Sequence, residues 1–275
     1  MFFFILGAGY VGKALLQKGL GPNVSFLTST TTPSKIKELT ELGSNAFLLT
    51  TENKEDLKKI IDKSDVLGIF IAPHQGTSYE ETYLKTAQNI AKILETRQKP
   101  LYLIYTSSTF VYKDASEFFV TEEAALDIKT EKAKTLVETE KTYLEISNPF
   151  VAVCILRLGG IFGPGRSLEN RARNMSGKFL DGNGTEPTNN TDLEDILNAI
   201  QFCITKKLTG IFNLVNDNHS TRKDLYDNLC NKMHIPPPTW TGVEAVNKEH
   251  GCGKIVSNQK IKNIGFVFKL TEPND

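Results

Sequence analysis

The sequence predicts an α/β fold with a doubly wound, mostly parallel sheet, and three observations carry that prediction. Phe2–Leu6 is an unbroken apolar run, the mark of a strand buried on both faces. The run feeds at once into the glycine-rich turn Gly7-Ala-Gly9-Tyr-Val-Gly12, after which Ala14, Leu15 and Leu16 continue at helical spacing among Lys13, Gln17 and Lys18. Short apolar runs then alternate with helix-patterned segments through the first half, which predicts right-handed βα crossovers within one sheet.

In chain order, a second strand is expected over Val24–Thr28, closing on the polar stretch Thr28-Ser-Thr-Thr-Thr32-Pro33, with a helix from Ser34 to about Leu42. Ala46–Leu49 reads as a third strand, with Leu57–Ile61 on the helix that follows. Asp65–Ala72 reads as a fourth, stopped by Pro73. Ser78–Thr96 is expected to be one long helix, its Tyr83, Ala87, Ile90, Ala91 and Leu94 forming a core stripe. Leu101–Tyr105, Val151–Leu156 and Ile211–Val215 supply strands five to seven. Helices fit Leu193–Cys203 and Thr221–Met233, the second capped by Ser220 or Thr221. From Gly163 the pattern loosens, punctuated by Gly163-Pro-Gly165, Asp181-Gly-Asn-Gly184 and Pro236-Pro-Pro238. Residues 1–275 therefore read as a single unit. Within it, 1–164 forms the main core, and 165–275 completes the sheet and builds a small C-terminal lobe on the substrate side.

Composition excludes several classes of partner. Lys+Arg and Asp+Glu are equal at 32 each, so no net field favours nucleic acid or an anionic membrane. No apolar run approaches the roughly 20 residues of a membrane span. The opening residues also lack the basic region and cleavage site of a signal peptide. Cys154, Cys203, Cys230 and Cys252 are widely spaced, which suits reduced thiols in a cytoplasmic protein. His74, His219, His234 and His250 are scattered, and no metal site is expected. The expected partner is a small molecule, bound by a monomer or homodimer.

Strand, glycine turn and helix in that order is the context in which G-x-G-x-x-G reads as a dinucleotide site, and it makes the fold Rossmann-type. Gly7 permits the tight turn, Gly9 lets backbone approach a pyrophosphate, and Gly12 lets helix and strand pack closely. Tyr10, Val11 and Gly12 then open the helix, whose free N–H groups and positive dipole end face the anion.

Three further segments follow. They are Thr106-Ser107-Ser108-Thr-Phe-Val-Tyr112, then Arg157-Leu-Gly-Gly-Ile-Phe-Gly163-Pro-Gly165-Arg166, and finally Gly253-Lys254-Ile-Val-Ser257-Asn258. Together with the glycine turn they resemble the extended or atypical short-chain dehydrogenase/reductase superfamily, in its NAD-dependent epimerase/dehydratase branch, over nearly the whole chain. The resemblance implies an NAD(P)-dependent oxidoreductase or epimerase/dehydratase acting on a small hydroxyl or carbonyl compound, often a nucleotide-linked sugar. In that family a Ser or Thr binds the reacting oxygen, a Tyr is the general acid or base, and a Lys lowers the Tyr pKa and holds the nicotinamide ribose. A phenol needs that cation, because its ordinary pKa is about 10.

By resemblance Ser108 takes the Ser/Thr place and Lys134 the Lys place, with Thr135-Leu136-Val137-Glu138 continuing the motif. The Tyr place falls on Thr130, an aliphatic hydroxyl and a far weaker acid. Thr130 is thus expected to orient an oxygen or a water. Tyr112 and Asp127 stand as other proton carriers, Asp127 being also a candidate helix cap. The departure leaves a second reading open, a dinucleotide-binding sensor or scaffold that has lost the reaction.

An NAD site usually carries an acid after the second strand. Here the residues are Thr28, Ser29, Thr30 and Thr31, followed by Lys35, which favours NADP over NAD, with Ser29 and Thr30 near the 2′-phosphate. The resemblance puts Ala72 and Pro73 against the adenosine and brings Gly159 and Gly160 to the nicotinamide, where their amides would meet the carboxamide. Arg157, Arg166, Arg171 and Arg173 are candidates for a bidentate phosphate clamp. Asn189, Asp192 and Asp195 match an N-x-x-H-x-D-D-like segment in which Asp192 replaces the His.

Overall fold

The computed structural model describes residues 1–74, 76–113, 119–146, 148–243 and 253–269; Cys252 and His250 lie outside the described residues. The first half alternates β1 (Phe2–Leu6), α1 (Tyr10–Lys18), β2 (Ser25–Thr30), α2 (Lys35–Glu41), β3 (Asn45–Leu48), α3 (Lys54–Asp62), β4 (Val66–Ile69), α4 (Lys85–Leu94) and β5 (Leu101–Ser108). The chain continues through β6 (Phe119–Val120), α5 (Glu131–Glu145), β7 (Val151–Leu158), β8 (Gly160–Phe162), α6 (Leu168–Met175) and β9 (Phe179–Leu180). It closes with β10 (Asn190–Asp192), α7 (Leu193–Lys206), β11 (Gly210–Leu214), α8 (Arg222–Lys232), β12 (Thr239–Trp240), β13 (Ile255–Val256) and α9 (Gln259–Asn263).

Seven strands form one sheet in the order β11-β7-β5-β4-β1-β2-β3, and the pairs from β3 across to β5 are parallel. Strand order reverses between β1 and β4, so the crevice past their carboxyl ends is a topological switch point. The sheet is buried as the apolar runs require. Phe4, Leu67, Leu103 and Ile155 are fully covered, packed with Leu57 and Ile61 of α3 and Ile90 and Leu94 of α4. Burying each such side chain is worth about 1.5–3 kcal/mol.

The chain divides into two compact units and passes back and forth between them. The first comprises residues 1–111, 126–157 and 197–212; the second comprises 112–125, 158–196 and 213–275. Helix α7 starts in the second unit and passes into the first at Leu197. The second unit holds the parallel pairs β8–β10, β9–β12 and β6–β13, with Leu168 and Ala172 of α6 packed among Leu225 and Leu229 of α8. No helix among the described residues is long and apolar enough to cross a membrane, and no cluster of His, Cys, Asp and Glu among them could hold a metal ion.

Two elements differ from expectation in ways that matter for the site. Strand β2 runs on to Thr30, held by the Leu49 amide donating to the Thr30 carbonyl at 3.1 Å, so Ser29 and Thr30 are buried strand residues. The expected helix 78–96 opens instead with a π-helical turn, Glu80–Leu84, before α4. Ser78 and Glu81 brace that turn reciprocally, the Glu81 amide donating to Ser78 Oγ and the Ser78 amide to Glu81 Oε2.

Candidate functional site

The glycine turn follows the carboxyl end of β1, and each of its glycines has a separate steric reason. Gly7 has φ +93°, and a Cβ there would lie 2.8 Å from Ile71 Cγ2 and 2.9 Å from the Phe70 carbonyl oxygen. This close approach seats the turn against the end of β4, immediately before Ala72 and Pro73. A Cβ on Gly12 would lie 2.6 Å from the Gly7 oxygen and 2.8 Å from Ile5 Cγ2, so only glycine lets α1 pack on β1. A Cβ on Gly9 would meet nothing within 4 Å.

Gly9 is the N-cap of α1, and no side chain caps the helix. The Ala8 and Gly9 amides are engaged, donating to the Ser29 and Gly7 carbonyls at 3.1 and 2.8 Å. The first intrahelical bond runs from the Lys13 amide to the Gly9 carbonyl, at 2.9 Å. The Val11 and Gly12 amides belong to the first turn, which has no intrahelical acceptors. Open space over a glycine, facing uncapped amides at the positive end of a helix dipole, fits a pyrophosphate. The residues present therefore fit a dinucleotide.

Beside the turn, Thr28 and Ser44 hydroxyls are bonded at 2.8 Å, and Thr30 Oγ1 accepts from the Thr32 amide at 3.1 Å. Glu38 of α2 is ion-paired with Lys13 of α1. Lys35 is exposed and has no side-chain partner among the described residues.

The candidate catalytic residues lie in the same unit, at the end of β5 and the start of α5. Ser108 is half-buried, and its Oγ accepts from the Phe110 amide at 3.1 Å. Thr130 is the N-cap of α5. Its Oγ1 accepts from the Ala133 amide at 3.3 Å and donates to Asp127 Oδ2 at 3.2 Å. The cap is thus Thr130 and not Asp127, whose Oδ1 instead accepts from the Lys129 amide at 2.8 Å. Lys134 lies one turn into the helix, exposed and without a side-chain partner among the described residues.

Arg157 does not belong with a surface phosphate clamp. It is 1% exposed, and its Nη2 donates to Glu140 Oε2 at 2.6 Å while Ser107 Oγ donates to Glu140 Oε1 at 2.6 Å. This buried cluster ties β5, α5 and β7 together. Glu140 was missed from sequence, although it sits on the face of α5 that buries Ala133, Leu136 and Tyr143, and an acid in an apolar stripe is the signal. Glu138, two residues earlier, is exposed.

The remaining expected contributors lie in the second unit. The Gly160 amide donates to the Asn189 carbonyl at 2.7 Å and the Gly159 amide to Thr191 Oγ1 at 2.9 Å, so neither amide is left for a carboxamide. Glycine is needed at 159 for packing, since a Cβ there would lie 2.3 Å from the Asn189 oxygen. Arg171 contacts Asn190 Oδ1 and the Ile161 carbonyl, both at 3.4 Å, and Arg173 reaches Met233 Sδ at 3.5 Å.

Tyr112 is buried, its hydroxyl donating to Asn213 Oδ1 at 2.6 Å, which makes it a structural residue. The Gly253-to-Asn258 segment is structural as well. Buried Lys254 donates to the Tyr112 carbonyl at 2.7 Å, and Asn258 Nδ2 to the Val215 carbonyl at 3.0 Å. Asp192 Oδ1 accepts from the Glu194 amide at 2.6 Å, turning the start of α7.

Comparison with known proteins agrees with this geometry. Protein YeeZ of Escherichia coli K12 is 28% identical over 276 residues, covering 98% of this chain and 96% of that protein. DesIV, a dTDP-glucose 4,6-dehydratase from Streptomyces venezuelae solved with NAD bound, superposes with a TM-score of 0.81 at 15% identity, over 99% of this chain and 93% of that one. WbmG of Bordetella bronchiseptica, solved in complex with NAD, gives 0.81 at 17% identity, over 100% and 91%. The sequence profile of the NAD dependent epimerase/dehydratase family matches residues 3–219, and with the glycine turn built as described, the chain belongs to that family.

Proposed function

We propose that this protein binds NADP or NAD across the first turn of α1 and acts on a small hydroxyl or carbonyl compound, a nucleotide-linked sugar in the first instance. The observation that carries this reading is the space over Gly9 against uncapped amides, bounded by two glycines that tolerate no Cβ. The substrate class is supported by what the similar solved proteins act on, among them a dTDP-glucose 4,6-dehydratase.

A bound nicotinamide supplies hydride acceptance and return. Ser108 already accepts a hydrogen bond, so its own hydrogen is available for a substrate oxygen. Lys134, with no competing partner among the described residues, holds the ribose. Thr130 spends its hydroxyl on Asp127 and Ala133 and is not the base; the group beside it able to hold a proton is Asp127. NADP is the preferred form because Glu38 is neutralised by Lys13 while Lys35 remains unpaired, leaving the α2 side of the site net positive.

Titration of NADPH and NADH fluorescence tests the binding step. The parent should bind both, NADPH more tightly, and Lys35→Glu should reverse that order by about tenfold, or about 1.4 kcal/mol. Failure of the parent to bind either form overturns the proposal. Turnover is then sought with sugar nucleotides, and Asp127→Asn should abolish it without changing cofactor affinity.

One observation favours a second reading, a sensor or scaffold without turnover. Aligning the motif on the buried Glu140, rather than on exposed Glu138, shifts it by two residues and puts Lys132 in the Tyr place and Leu136 in the Lys place. Under that reading Thr130→Tyr and Lys132→Tyr each bind cofactor as the parent does, and the parent turns over nothing.

A further inference from the structure

A cavity of about 930 Å³ is lined by α3 and by β1, β2 and β3. Its wall includes Phe2 at the start of β1, Ser64 and Asp65 just before β4, and Lys99 and Pro100 just before β5. The glycine turn lies past the far end of β1, and at about 3.3 Å per strand residue the Phe2 end of the cavity is separated from it by the length of that strand, while Leu48 and Leu49 bring the other end to the carboxyl end of β3. None of its lining residues belongs to the proposed dinucleotide site. Its volume lies in the range of about 300–1,000 Å³ that small-molecule sites occupy.

The floor is apolar, made by Leu27, Phe47, Leu49 and Ile60, and extends to Phe2, which stays 50% exposed. The rim charges settle the polarity of the occupant. Asp56 is held by Lys59 at 2.9 Å, Asp62 by Lys58 at 2.6 Å, and Asp65 accepts from the Phe2 amide at 2.7 Å. Arg97 is engaged as well, its guanidinium donating to the carbonyls of Lys99, Ile61, Ser64 and Pro100. Lys63 and Lys99, both exposed on the rim, have no side-chain partner among the described residues. Every rim acid is thus engaged, and two cations are not.

We propose that this cavity binds a carboxylate with a hydrocarbon body, such as a medium-chain fatty acid. The chain lies on Phe2, Leu27 and Phe47, and the head group sits between Lys63 and Lys99. Burying a hydrocarbon chain is worth about 0.8 kcal/mol per CH₂, which gives the apolar floor the larger share of affinity and the lysines the choice of head group.

Isothermal titration of the full chain with decanoate, and separately with decyltrimethylammonium, tests the proposal. One equivalent of decanoate should bind saturably, and the cation of equal chain length at least tenfold more weakly. Lys63→Glu combined with Lys99→Glu should weaken decanoate at least tenfold, and Phe2→Asp should weaken both ligands. All three positions are exposed, and unchanged thermal unfolding of these variants verifies the fold. Gly9→Asp should bind decanoate as the parent does, which separates this site from the nucleotide. The proposal is overturned by absent saturation, by equal affinity for the two head groups, by an unmoved double lysine variant, or by competition from NADPH. It is equally overturned if sedimentation shows a dimer of this chain, disrupted by Phe2→Asp, covering the groove instead.

Discussion

Two helix starts in the first unit behave oppositely. At α1 the N-cap is Gly9, no side chain closes the first turn, and a Cβ on the cap would meet nothing within 4 Å. At α5 the N-cap is Thr130, whose hydroxyl satisfies the Ala133 amide and is itself held by Asp127. The four orphan amides of a helix start need partners, and either the chain supplies them or a ligand does. The comparison leaves α1 as the helix start open to an anion and α5 as a self-contained element, carrying a structural residue where the resemblance expects a phenol.

The largest effect should come from what holds α5 in place. Glu140→Ala leaves the Arg157 guanidinium buried without its carboxylate. Breaking one partner of a buried ion pair costs about 3–5 kcal/mol. Urea unfolding should show that loss, while Glu138→Ala on the exposed face should change stability by less than about 0.5 kcal/mol. Equal effects would mean that the burial of Glu140 does not anchor the helix.

Next in size is a separation of binding from stability at α1. Gly9→Asp puts a carboxylate where the pyrophosphate is expected, yet Asp is a favoured N-cap and has open space there. Dinucleotide affinity should fall at least about 100-fold, equivalent to about 2.7 kcal/mol, with the unfolding midpoint held or raised. Gly12→Val should instead destabilise the fold by about 2 kcal/mol, because the clashing atoms include a backbone carbonyl oxygen. Retained affinity in Gly9→Asp would break the comparison outright.

Thr130→Val removes the cap at the other helix. Stability should fall by about 1 kcal/mol, Thr130→Ser should restore it, and NADPH affinity should not move. A loss of affinity would return Thr130 to the binding site.

The uneven legibility of these places has a physical cause. Strand β1 and its turn could be read because five apolar residues and three glycines constrain the backbone locally, and steric demands are written in the residues that suffer them. The strand alternation behind the sheet order was readable for the same reason. The roles of Thr130, Arg157 and Gly160 were not, since each depends on a partner fixed only by folding: the Asp127 carboxylate, Glu140 seventeen residues away, and the Asn189 carbonyl. Ser29 and Thr30 misled in another way, because the loop was expected to begin where hydroxyls begin, whereas threonine suits a strand. The π-helical opening before α4 has no counterpart in residue spacing.

A third helix start, at α7, gives the smallest test. Asp195 in its first turn is fully buried; Oδ1 accepts from the Lys269 amide at 2.8 Å and Oδ2 has no partner among the described residues. Burial, with help from Asp192 and Glu194, pushes its pKa up to about 6 from an ordinary 3.8. Between those values the folded chain holds a proton that the unfolded chain has released, so this group makes stability fall as pH rises from 4 to 6. Above pH 6 the charge persists in the fold and the deficit stays constant. Asp195→Asn keeps the acceptor for Lys269 and cannot ionise. It should lose that part of the slope in urea unfolding between pH 4 and 6, and at pH 8 should match or exceed the parent. A slope that persists unchanged in Asp195→Asn would show that the buried carboxylate is solvated or paired after all, and that this helix start, unlike α1, is closed by something other than its own side chains.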